Sequence, residues 1–365
     1  MTTDTNNNNK ISLREYDKEL PLISVIMPAY NSEASIEKAV LSCTGQSYPN
    51  VEIIIVDNGS SDETLKVANK LRESCFFKMQ DGSKAPRIRI IAQDNNGVSA
   101  ARNIAIKNAG GEYFVSLDSD DYYDFDTIES LYKTLTENDA DVSICGIRKV
   151  WEQEPEKNTE YIPVAFSGDI KAFSDESFVR LYDLNLIGTH SNKLYKSSLI
   201  RDNSIYYNEG LAVNEDIDFV LRYLAVCRRM SVVPRAFLSY VQHERGQSLI
   251  NTFQPHGLKG ALIVLQSAES FMDTAGTEDK VRQEMYRRMF VHICSFAGLM
   301  YYRSDYGRAK IREELHMMCA DSGFKHLLKE YKCSEPKEAL AHFLLKHGLV
   351  RIYDGLCRII YKNKH

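Results

Sequence analysis

The sequence lacks the patterns that mark several large classes of protein. Its eight cysteines are scattered and form no CxxC pair, which is typical of buried or free thiols in a reducing compartment. No apolar run approaches the roughly 20 residues that a membrane-spanning helix needs, and the polar start, MTTDTNNNNK, indicates no signal peptide. The net charge of -5 argues against a general nucleic-acid binder. We therefore expect a cytosolic protein that binds no nucleic acid.

Two nucleotide-binding motifs are also missing. No GxGxxG follows the first apolar run, and GxxxxGK[ST] occurs nowhere in the 365 residues. The dinucleotide-binding fold and the P-loop ATPases therefore lose their main sequence signals. If phosphates bind to this protein, a metal ion held by carboxylates must neutralise much of their charge.

The first 150 residues alternate between short apolar runs and amphipathic helical patterns. Strands are predicted at residues 23–27, 51–56, 88–92 and 113–117, with a fifth from residue 142. Helical periodicity fills the segments between them, and Ser60 and Glu63 have the spacing of a capping box ahead of the second helix. The alternation predicts an α/β fold in which right-handed βαβ units form a mostly parallel, doubly wound sheet with flanking helices.

Polar residues stand just past the end of each of the first four strands. They are Tyr30 and Asn31, Asp57 to Ser60, Asn95 to Gly97, and Asp118 to Asp121. Because the carboxyl ends of parallel strands lie along one edge of a sheet, we expect these groups to converge on one ligand-binding crevice. Arg102 and Asn103 are expected to open a helix above it, where an arginine could pair with phosphate or form an ordinary surface salt bridge.

The fourth strand ends in a concentration of negative charge, YFVSLDSDDYYD over residues 113–124. Asp118, Asp120 and Asp121 fall within four positions, and like charges so close cost free energy unless a cation lies among them. Oxygen ligands suit a hard divalent ion, Mg²⁺ or Mn²⁺. A solvated turn is the alternative, since Asp and Ser are ordinary turn residues. The convergence of four polar strand ends favours the functional interpretation.

Two stretches resemble family 2 glycosyltransferases with the GT-A fold. They are ISVIMPAYNSEASIEKAVLSCTGQSYPNVEIIIVDNGSSDET and DNNGVSAARNIAIKNAGGEYFVSLDSDDYY. The resemblance covers about residues 21–150 and continues more weakly through SNKLYKSSLI, NEDIDF and YVQHERGQS. It implies a metal-dependent, inverting enzyme that moves a hexose or N-acetylhexosamine from a nucleotide-diphosphate sugar, with uridine as the favoured nucleoside. The implied acceptor is a hydroxyl of a saccharide or lipid-linked saccharide, in the synthesis of a surface polysaccharide or glycan.

The resemblance also implies roles on the donor side. Tyr30 would pack near the base, with Asp57 and Asn58 against it. Asp118 would face the ribose and diphosphate, and Asp120 would ligate the metal, Mn²⁺ or Mg²⁺. The further donor-binding candidates are Pro28, Asn95, Arg102 and Ser119. Asn58 departs from the commoner VDDGS pattern, although an Asn carbonyl can still accept a hydrogen bond from a base N–H.

The second half of the chain would supply the catalytic base. The resemblance implies that the Glu-Asp pair of NEDIDF supplies this base, with Asp216 as the first candidate and Glu215 and Asp218 as fallbacks. Acidic residues in a first helical turn are also favoured by the helix dipole alone. His243 and Arg245 resemble a segment that folds over the diphosphate, and a surface loop is the alternative.

We expect three regions along the chain. Residues 1–20 have an asparagine run and low hydrophobicity, which predict a disordered leader. Residues 21–250 would form the GT-A domain, and residues 251–365 a helical C-terminal region. A nucleotidyltransferase, which would release pyrophosphate from a nucleoside triphosphate, and a non-catalytic sugar-nucleotide-binding module remain as alternatives. The presence of both Asp120 and Asp216 argues against the second of these.

The final stretch, FLLKHGLVRIYDGLCRIIYKNKH over residues 343–365, is a basic amphipathic pattern. Its apolar side is predicted to carry Leu345, Leu349, Ile352, Leu356, Ile359 and Ile360, and its positive charges are Lys346, Arg351, Arg358, Lys362 and Lys364. Only one acid, Asp354, opposes them. The helix could pack on the catalytic domain, or it could rest on an anionic membrane and place the protein at the inner face.

Overall fold

The computed structural model describes residues 13–171, 176–242, 255–301 and 306–361. Contacts divide the chain into two compact units. The first unit comprises residues 1–170, 184–209 and 226–242, and the second comprises residues 171–183, 210–225 and 243–365. The predicted boundary near residue 250 divides the chain once. The second unit, however, also includes residues 171–183 and 210–225, which precede that boundary.

The elements are numbered along the chain. The strands are β1 Leu13–Glu15, β2 Ile23–Ala29, β3 Val51–Asn58, β4 Phe76–Lys78, β5 Lys84–Pro86, β6 Ile88–Gln93, β7 Tyr113–Ser116, β8 Tyr122–Tyr123, β9 Val142–Val150, β10 Thr159–Tyr161, β11 Phe166–Asp169, β12 Lys193–Lys196 and β13 Arg229–Val241. The helices are α1 Ile36–Thr44, α2 Thr64–Arg72, α3 Val98–Asn108, α4 Thr127–Glu137, α5 Glu176–Asp183, α6 Ser197–Asn203, α7 Glu215–Val226, α8 Gly257–Ala275, α9 Asp279–Leu299, α10 Arg308–Ala320, α11 Ser322–Glu330, α12 Pro336–Lys346 and α13 Val350–Tyr361.

The first unit is built on a mixed sheet whose main path runs β11-β13-β9-β12-β7-β2-β3-β6. Strands β7, β2, β3 and β6 pair in parallel, as their alternation with helices predicts. Strand β12 enters between β7 and β9 and runs antiparallel to both. The central strands of a parallel sheet with both faces covered are mostly apolar, and every residue of β2 is buried.

The described residues before β2 are ordered, which differs from the disorder expected for residues 1–20. Strand β1 pairs in parallel with β4. The Arg14 guanidinium donates to the carbonyls of Gly45 and Gln46, at 3.3 and 2.7 Å. The Asn50 amide donates to the carbonyls of Asp17 and Leu20. Hydrogen bonds with later loops thus hold a segment whose own hydrophobicity is low.

The second unit is helical in its described parts, and the helical tail predicted from residue 255 is confirmed. Phe178 of α5 stacks on Phe271 of α8, with ring centroids 4.7 Å apart, which explains why a segment before residue 184 belongs to this unit. Gly348, with φ +67°, separates α12 from α13, so the last stretch forms two helices. No helix among the described residues is long and apolar enough to cross a membrane.

Helix α13 packs through a side other than its aliphatic side. Its buried residues are Val350, Tyr353, Asp354 and Cys357. The predicted apolar side is largely exposed: Ile352, Ile359 and Ile360 are 57%, 73% and 51% accessible. Leu345, which was expected on that side, is buried in α12. A buried aspartate with arginine partners occupies the packed side instead of these aliphatic residues, so a membrane-bound aliphatic side stays a prediction.

Candidate active site

The chain leaves the sheet after β2 through a proline and a tyrosine. Pairing of β2 with β7 ends at Ile26, whereas pairing with β3 continues to Ala29. Pro28 therefore lies beyond the β7 ladder, where a residue without an N–H is tolerated. Tyr30 follows with 51% of its surface accessible. Asn31 adopts φ +47°, a left-handed conformation in which Asn is enriched, and turns the chain at the strand end.

The loop after β2 is hydrogen-bonded to the loop after β3. The Asn31 N–H donates to the Ser60 hydroxyl at 3.0 Å, and the Asn31 side-chain carbonyl accepts from the Ser61 N–H at 2.9 Å. The predicted capping box is therefore wrong, because Ser60 contacts another loop. Helix α2 begins at Thr64, whose N–H donates to the Asp62 carboxylate at 3.0 Å.

Asp57 ends β3 with a carboxylate that the described protein does not fully satisfy. It pairs in the sheet between Ala29 and Ala92 and is 4% accessible. Its Oδ1 atom is buried and finds no hydrogen-bond donor among the described residues. Leaving such an acceptor unpaired costs about 1–3 kcal/mol. A ligand N–H or O–H is therefore expected at this strand end.

Asn58 joins the loops after β3 and β6. Its carbonyl accepts from the Gln93 amide at 2.7 Å and from the Asn96 N–H at 3.1 Å, and its amide donates to Asn95 at 3.1 Å. A carboxylate at position 58 could not donate to Asn95, which gives the departure from VDDGS a structural role. The two loops approach closely, since a Cβ at Gly59 would lie 2.9 Å from the Asn95 nitrogen. Contacts of Asn58 and Asn95 with a base stay predictions.

Arg102 forms a buried ion pair with the first acid of the acidic turn. Helix α3 begins at Val98, so Arg102 lies in its second turn, and only 4% of its side chain is accessible. Its guanidinium is 2.9 Å from Asp118 Oδ1, and His190 Nε2 is 3.7 Å from Asp118 Oδ2. Burial alone would raise the pKa of Asp118, but Arg102 and His190 outweigh it and hold the pKa below its usual range. The surface salt bridge considered for Arg102 is therefore wrong.

Residues that the sequence did not single out complete this cluster. The Tyr207 ring lies 5.2 Å from the Arg102 guanidinium carbon, and the His190 ring meets it edge-on at 5.8 Å. The buried Lys193 ammonium donates to the carbonyls of Leu186 and Ile187, which fixes the loop that carries His190. The sequence could have indicated His190 only through its position, because it directly precedes the segment SNKLYKSSLI, which resembles the family.

The remaining residues of the acidic turn have distinct environments. The Ser119 hydroxyl lies 2.7 Å from that of Ser32, which ties the turn to the loop after β2. Asp121 is buried and accepts the Val241 N–H at 2.8 Å. Burial, followed by the charges of Asp120 and Asp118, raises the pKa of Asp121 well above its usual value. Asp120 is half-buried and keeps part of its surface accessible.

The three carboxylates of the acidic turn fit a metal ion that takes most of its ligands from substrate and water. Among the described residues no group of three or more His, Cys, Asp or Glu side chains could hold an ion by itself. Asp121 is 1% accessible, whereas Asp120 keeps part of its surface accessible and can meet a ligand. Mg²⁺ and Mn²⁺ fit, since such ions bind through one or two carboxylates together with substrate phosphates and water.

The candidate bases belong to the second unit. Helix α7 begins at Glu215, and its predicted inward residues Phe219, Val220, Tyr223 and Leu224 are all buried. Asp218 accepts the Ser267 hydroxyl at 2.6 Å and the Arg222 guanidinium at 2.7 Å, which makes it a structural residue of this unit. Asp216 is half-buried and Glu215 is buried. His243 and Arg245 lie outside the described residues.

Comparison with known proteins identifies the first part of the chain. Residues 24–203 match the model of glycosyl transferase family 2. These residues form a family 2 glycosyltransferase domain. The matched range includes all four strand ends, the acidic turn and His190, and it ends before α7.

The glycosyltransferase is similar in sequence to two curated proteins. A putative glycosyltransferase, EpsH of Bacillus subtilis, is 25% identical over 332 residues, 86% of this chain and 87% of EpsH. The poly(ribitol-phosphate) beta-N-acetylglucosaminyltransferase TarS of Staphylococcus aureus is 28% identical over 233 residues, which are 63% of this chain and only 37% of TarS. The second match therefore concerns a part of TarS.

Solved structures of TarS residues 1–349 resemble the glycosyltransferase over most of its length. The structure in complex with UDP-GlcNAc has a TM-score of 0.64 at 18% identity and covers 94% of this chain and 92% of that chain. The complex with UDP has a TM-score of 0.62. This likeness shows the fold, and the predicted GT-A type with a C-terminal helical region is confirmed.

Proposed function

We propose that this glycosyltransferase moves a hexose or N-acetylhexosamine, with inversion, from a UDP-sugar to a hydroxyl group. UDP-N-acetylglucosamine is the first donor to test, because TarS is named for that sugar and its structures with UDP and UDP-GlcNAc share this fold. The proposed acceptor is a saccharide or a lipid-linked saccharide in polysaccharide synthesis. The match to a poly(ribitol-phosphate)-modifying enzyme supports an acceptor that is a polymer rich in hydroxyl groups.

The unpaired buried oxygen of Asp57 is the observation that carries this proposal. It lies at the edge of the sheet where β2, β3 and β6 end, and hydrogen bonds join the loops that follow these strands. Uracil offers an imide N–H that a carboxylate can accept, and the accessible ring of Tyr30 supplies an apolar surface for a base. A nucleobase would thus satisfy an acceptor that the protein alone leaves unsatisfied.

On the diphosphate side we assign Asp120 as the metal ligand. A bound Mg²⁺ or Mn²⁺ would supply Lewis-acid stabilisation of the leaving diphosphate. Arg102 and Asp118 form an ion pair at 2.9 Å, which fixes the orientation of the Asp118 carboxylate at the start of the acidic turn. Ser119 is fixed by its contact with Ser32, which keeps the turn in one conformation.

We assign the catalytic base to Asp216. An acceptor hydroxyl has a pKa far above 7, so a carboxylate must take its proton as the new bond forms. Of the acids at the start of α7, Glu215 and Asp218 are buried, whereas Asp216 is partly accessible. Glu215 is the second candidate.

A panel of nucleotide sugars tests the function. The full chain is incubated with Mn²⁺ and, separately, UDP-N-acetylglucosamine, UDP-glucose, UDP-galactose and GDP-mannose, and the released nucleotide is quantified. We expect UDP from at least one UDP-sugar, with a configuration at the anomeric carbon that is inverted in the product. Release of pyrophosphate from UTP with no UDP from any sugar donor would instead identify a nucleotidyltransferase. Tight UDP binding with no turnover of any donor would identify a binding module.

A further inference from the structure

The exposed side of α13 is an apolar stripe. We define the C-terminal apolar face as Leu349, which directly precedes α13, and Ile352, Leu356, Ile359 and Ile360, whose spacing places them towards one side of the helix. Ile359 is 73% accessible, the highest value among the exposed large hydrophobic residues of the described chain. Contiguous exposed apolar residues of this kind mark an interaction surface.

The opposite side of α13 already supplies the packing of this helix. Asp354 is 1% accessible, accepts hydrogen bonds from Tyr301 and Arg312, and forms an ion pair with Arg358. The Tyr361 ring stacks on Tyr301 at 6.0 Å between centroids. These packing contacts use residues outside the C-terminal apolar face.

The accessible charges of residues 343–361 have one sign. Lys346 and Arg351 are exposed. Asp354 is the only acid in residues 343–365, and it is buried and neutralised by arginines. The sequence adds Lys362 and Lys364 directly after the described helix. The face therefore presents apolar side chains bordered by positive charge.

We propose that the C-terminal apolar face binds an anionic lipid bilayer. Interfacial helices insert an apolar side to the level of the headgroups and keep Lys and Arg at the polar boundary. An anionic surface attracts each such cation by about 1 kcal/mol. A second copy of this chain is a poorer occupant, because a symmetric contact would bring Lys346 and Arg351 towards their own equivalents. The inference concerns the second unit and does not depend on which donor the enzyme uses.

Vesicle co-sedimentation of the full chain tests this inference. Mixed phosphatidylglycerol–phosphatidylcholine vesicles are compared with pure phosphatidylcholine vesicles at low salt, without nucleotide sugar. We expect binding to the anionic vesicles only. The triple variant Ile352→Ser, Ile359→Ser, Ile360→Ser should lose it, whereas Lys346→Gln and Arg351→Gln should each weaken it roughly fivefold. The control Ile162→Ser, Val164→Ser replaces exposed apolar residues of the first unit and should bind as the wild type does.

Two further readouts separate this inference from its rivals. Circular dichroism checks that the triple variant is folded, and its UDP release in vesicle-free solution should equal that of the wild type. Failure of the wild-type chain to bind anionic vesicles, or equal binding by the triple variant, overturns the inference. Self-association in sedimentation velocity that the triple variant abolishes would assign the face to a second copy and overturn it as well.

Discussion

The chain contains two short acidic segments, residues 118–121 and 215–218, which look alike in sequence and differ in structure. In each, one aspartate is paired with an arginine. Asp118 pairs with Arg102 of a different element and keeps 29% of its side chain accessible. Asp218 pairs with Arg222 one turn along its own helix and is 2% accessible. In the first pair the acid is the accessible partner and can meet a ligand, whereas in the second pair the acid is buried and Arg222, 31% accessible, is the partner that reaches solvent.

The largest expected effect concerns the accessible acid of the second segment. We expect Asp216→Asn to keep donor binding but lower kcat at least about a hundredfold, as loss of a general base typically does. Steady-state kinetics with the donor and acceptor found in the panel measure it, with Glu215→Gln as the matched variant. A normal rate for Asp216→Asn beside an inactive Glu215→Gln would move the role by one residue. Full activity of both variants would show that neither residue is the catalytic base.

The next effect tests the buried acceptor of the first unit. Asp57→Ala removes the oxygen that we assign to the base N–H, and a hydrogen bond to a charged group is worth about 1.5–3 kcal/mol. Calorimetry should therefore show UDP binding that is weaker by roughly 10- to 100-fold. Asp62→Asn is the control, since Asp62 lies in the same loop and contacts the start of α2. Unchanged affinity in Asp57→Ala would mean that Asp57 has no part in base recognition.

A smaller effect, on stability, should distinguish the structural role of Asp218 from the catalytic role of Asp216. Asp218→Asn removes the charge opposite Arg222 and weakens the contact with Ser267, so we expect a loss of about 1–3 kcal/mol in the free energy of unfolding. Its kcat should fall far less than that of Asp216→Asn. Urea unfolding and kinetics on the same preparation measure both quantities. If kcat collapses while stability is unchanged, the contrast between the two segments is wrong.

The smallest effect depends on pH and concerns Asp354, a third aspartate paired with arginine. Burial would raise its pKa, but Arg312, Arg358 and Tyr301 outweigh burial and lower it. A carboxyl whose pKa is lower in the folded than in the unfolded state stabilises the fold at pH values above the unfolded-state pKa, about 3.9. This contribution is lost as the pH falls through the folded-state pKa. We expect Asp354→Asn to cost about 1 kcal/mol at neutral pH and progressively less below about pH 4. A difference in unfolding free energy that grows on acidification would contradict this.

Local pattern was sufficient to predict the strand ends. Asp57, Asn58 and Asp118 each follow an apolar run directly, and the parallel order of β7, β2, β3 and β6 brings such residues to one edge. The start of α7 was predictable for the same reason, because its apolar spacing and its acids lie within one helix. These features depend on residues close together in the sequence.

Other parts of the site depend on partners far along the chain. The burial of Arg102 needs Tyr207, and the environment of Asp118 needs His190, neither of which a local pattern connects to the acidic turn. In α13 the apolar spacing did not indicate that the side carrying Asp354 packs, because the partner of this buried acid, Arg312, lies on another helix. Long-range ion pairs can reverse a preference that hydrophobic periodicity alone would set.

The central claim is that the acidic turn binds a diphosphate through a divalent cation held by Asp120. Titration of UDP into the full chain, with Mn²⁺ and with excess chelator, tests it most directly, with Asp120→Asn as the matched variant. We predict that Mn²⁺ strengthens UDP binding to the wild type and leaves binding to Asp120→Asn unchanged, with both proteins equally folded. Equal affinity of the wild type with and without metal, or the same gain from Mn²⁺ in Asp120→Asn, would contradict the claim.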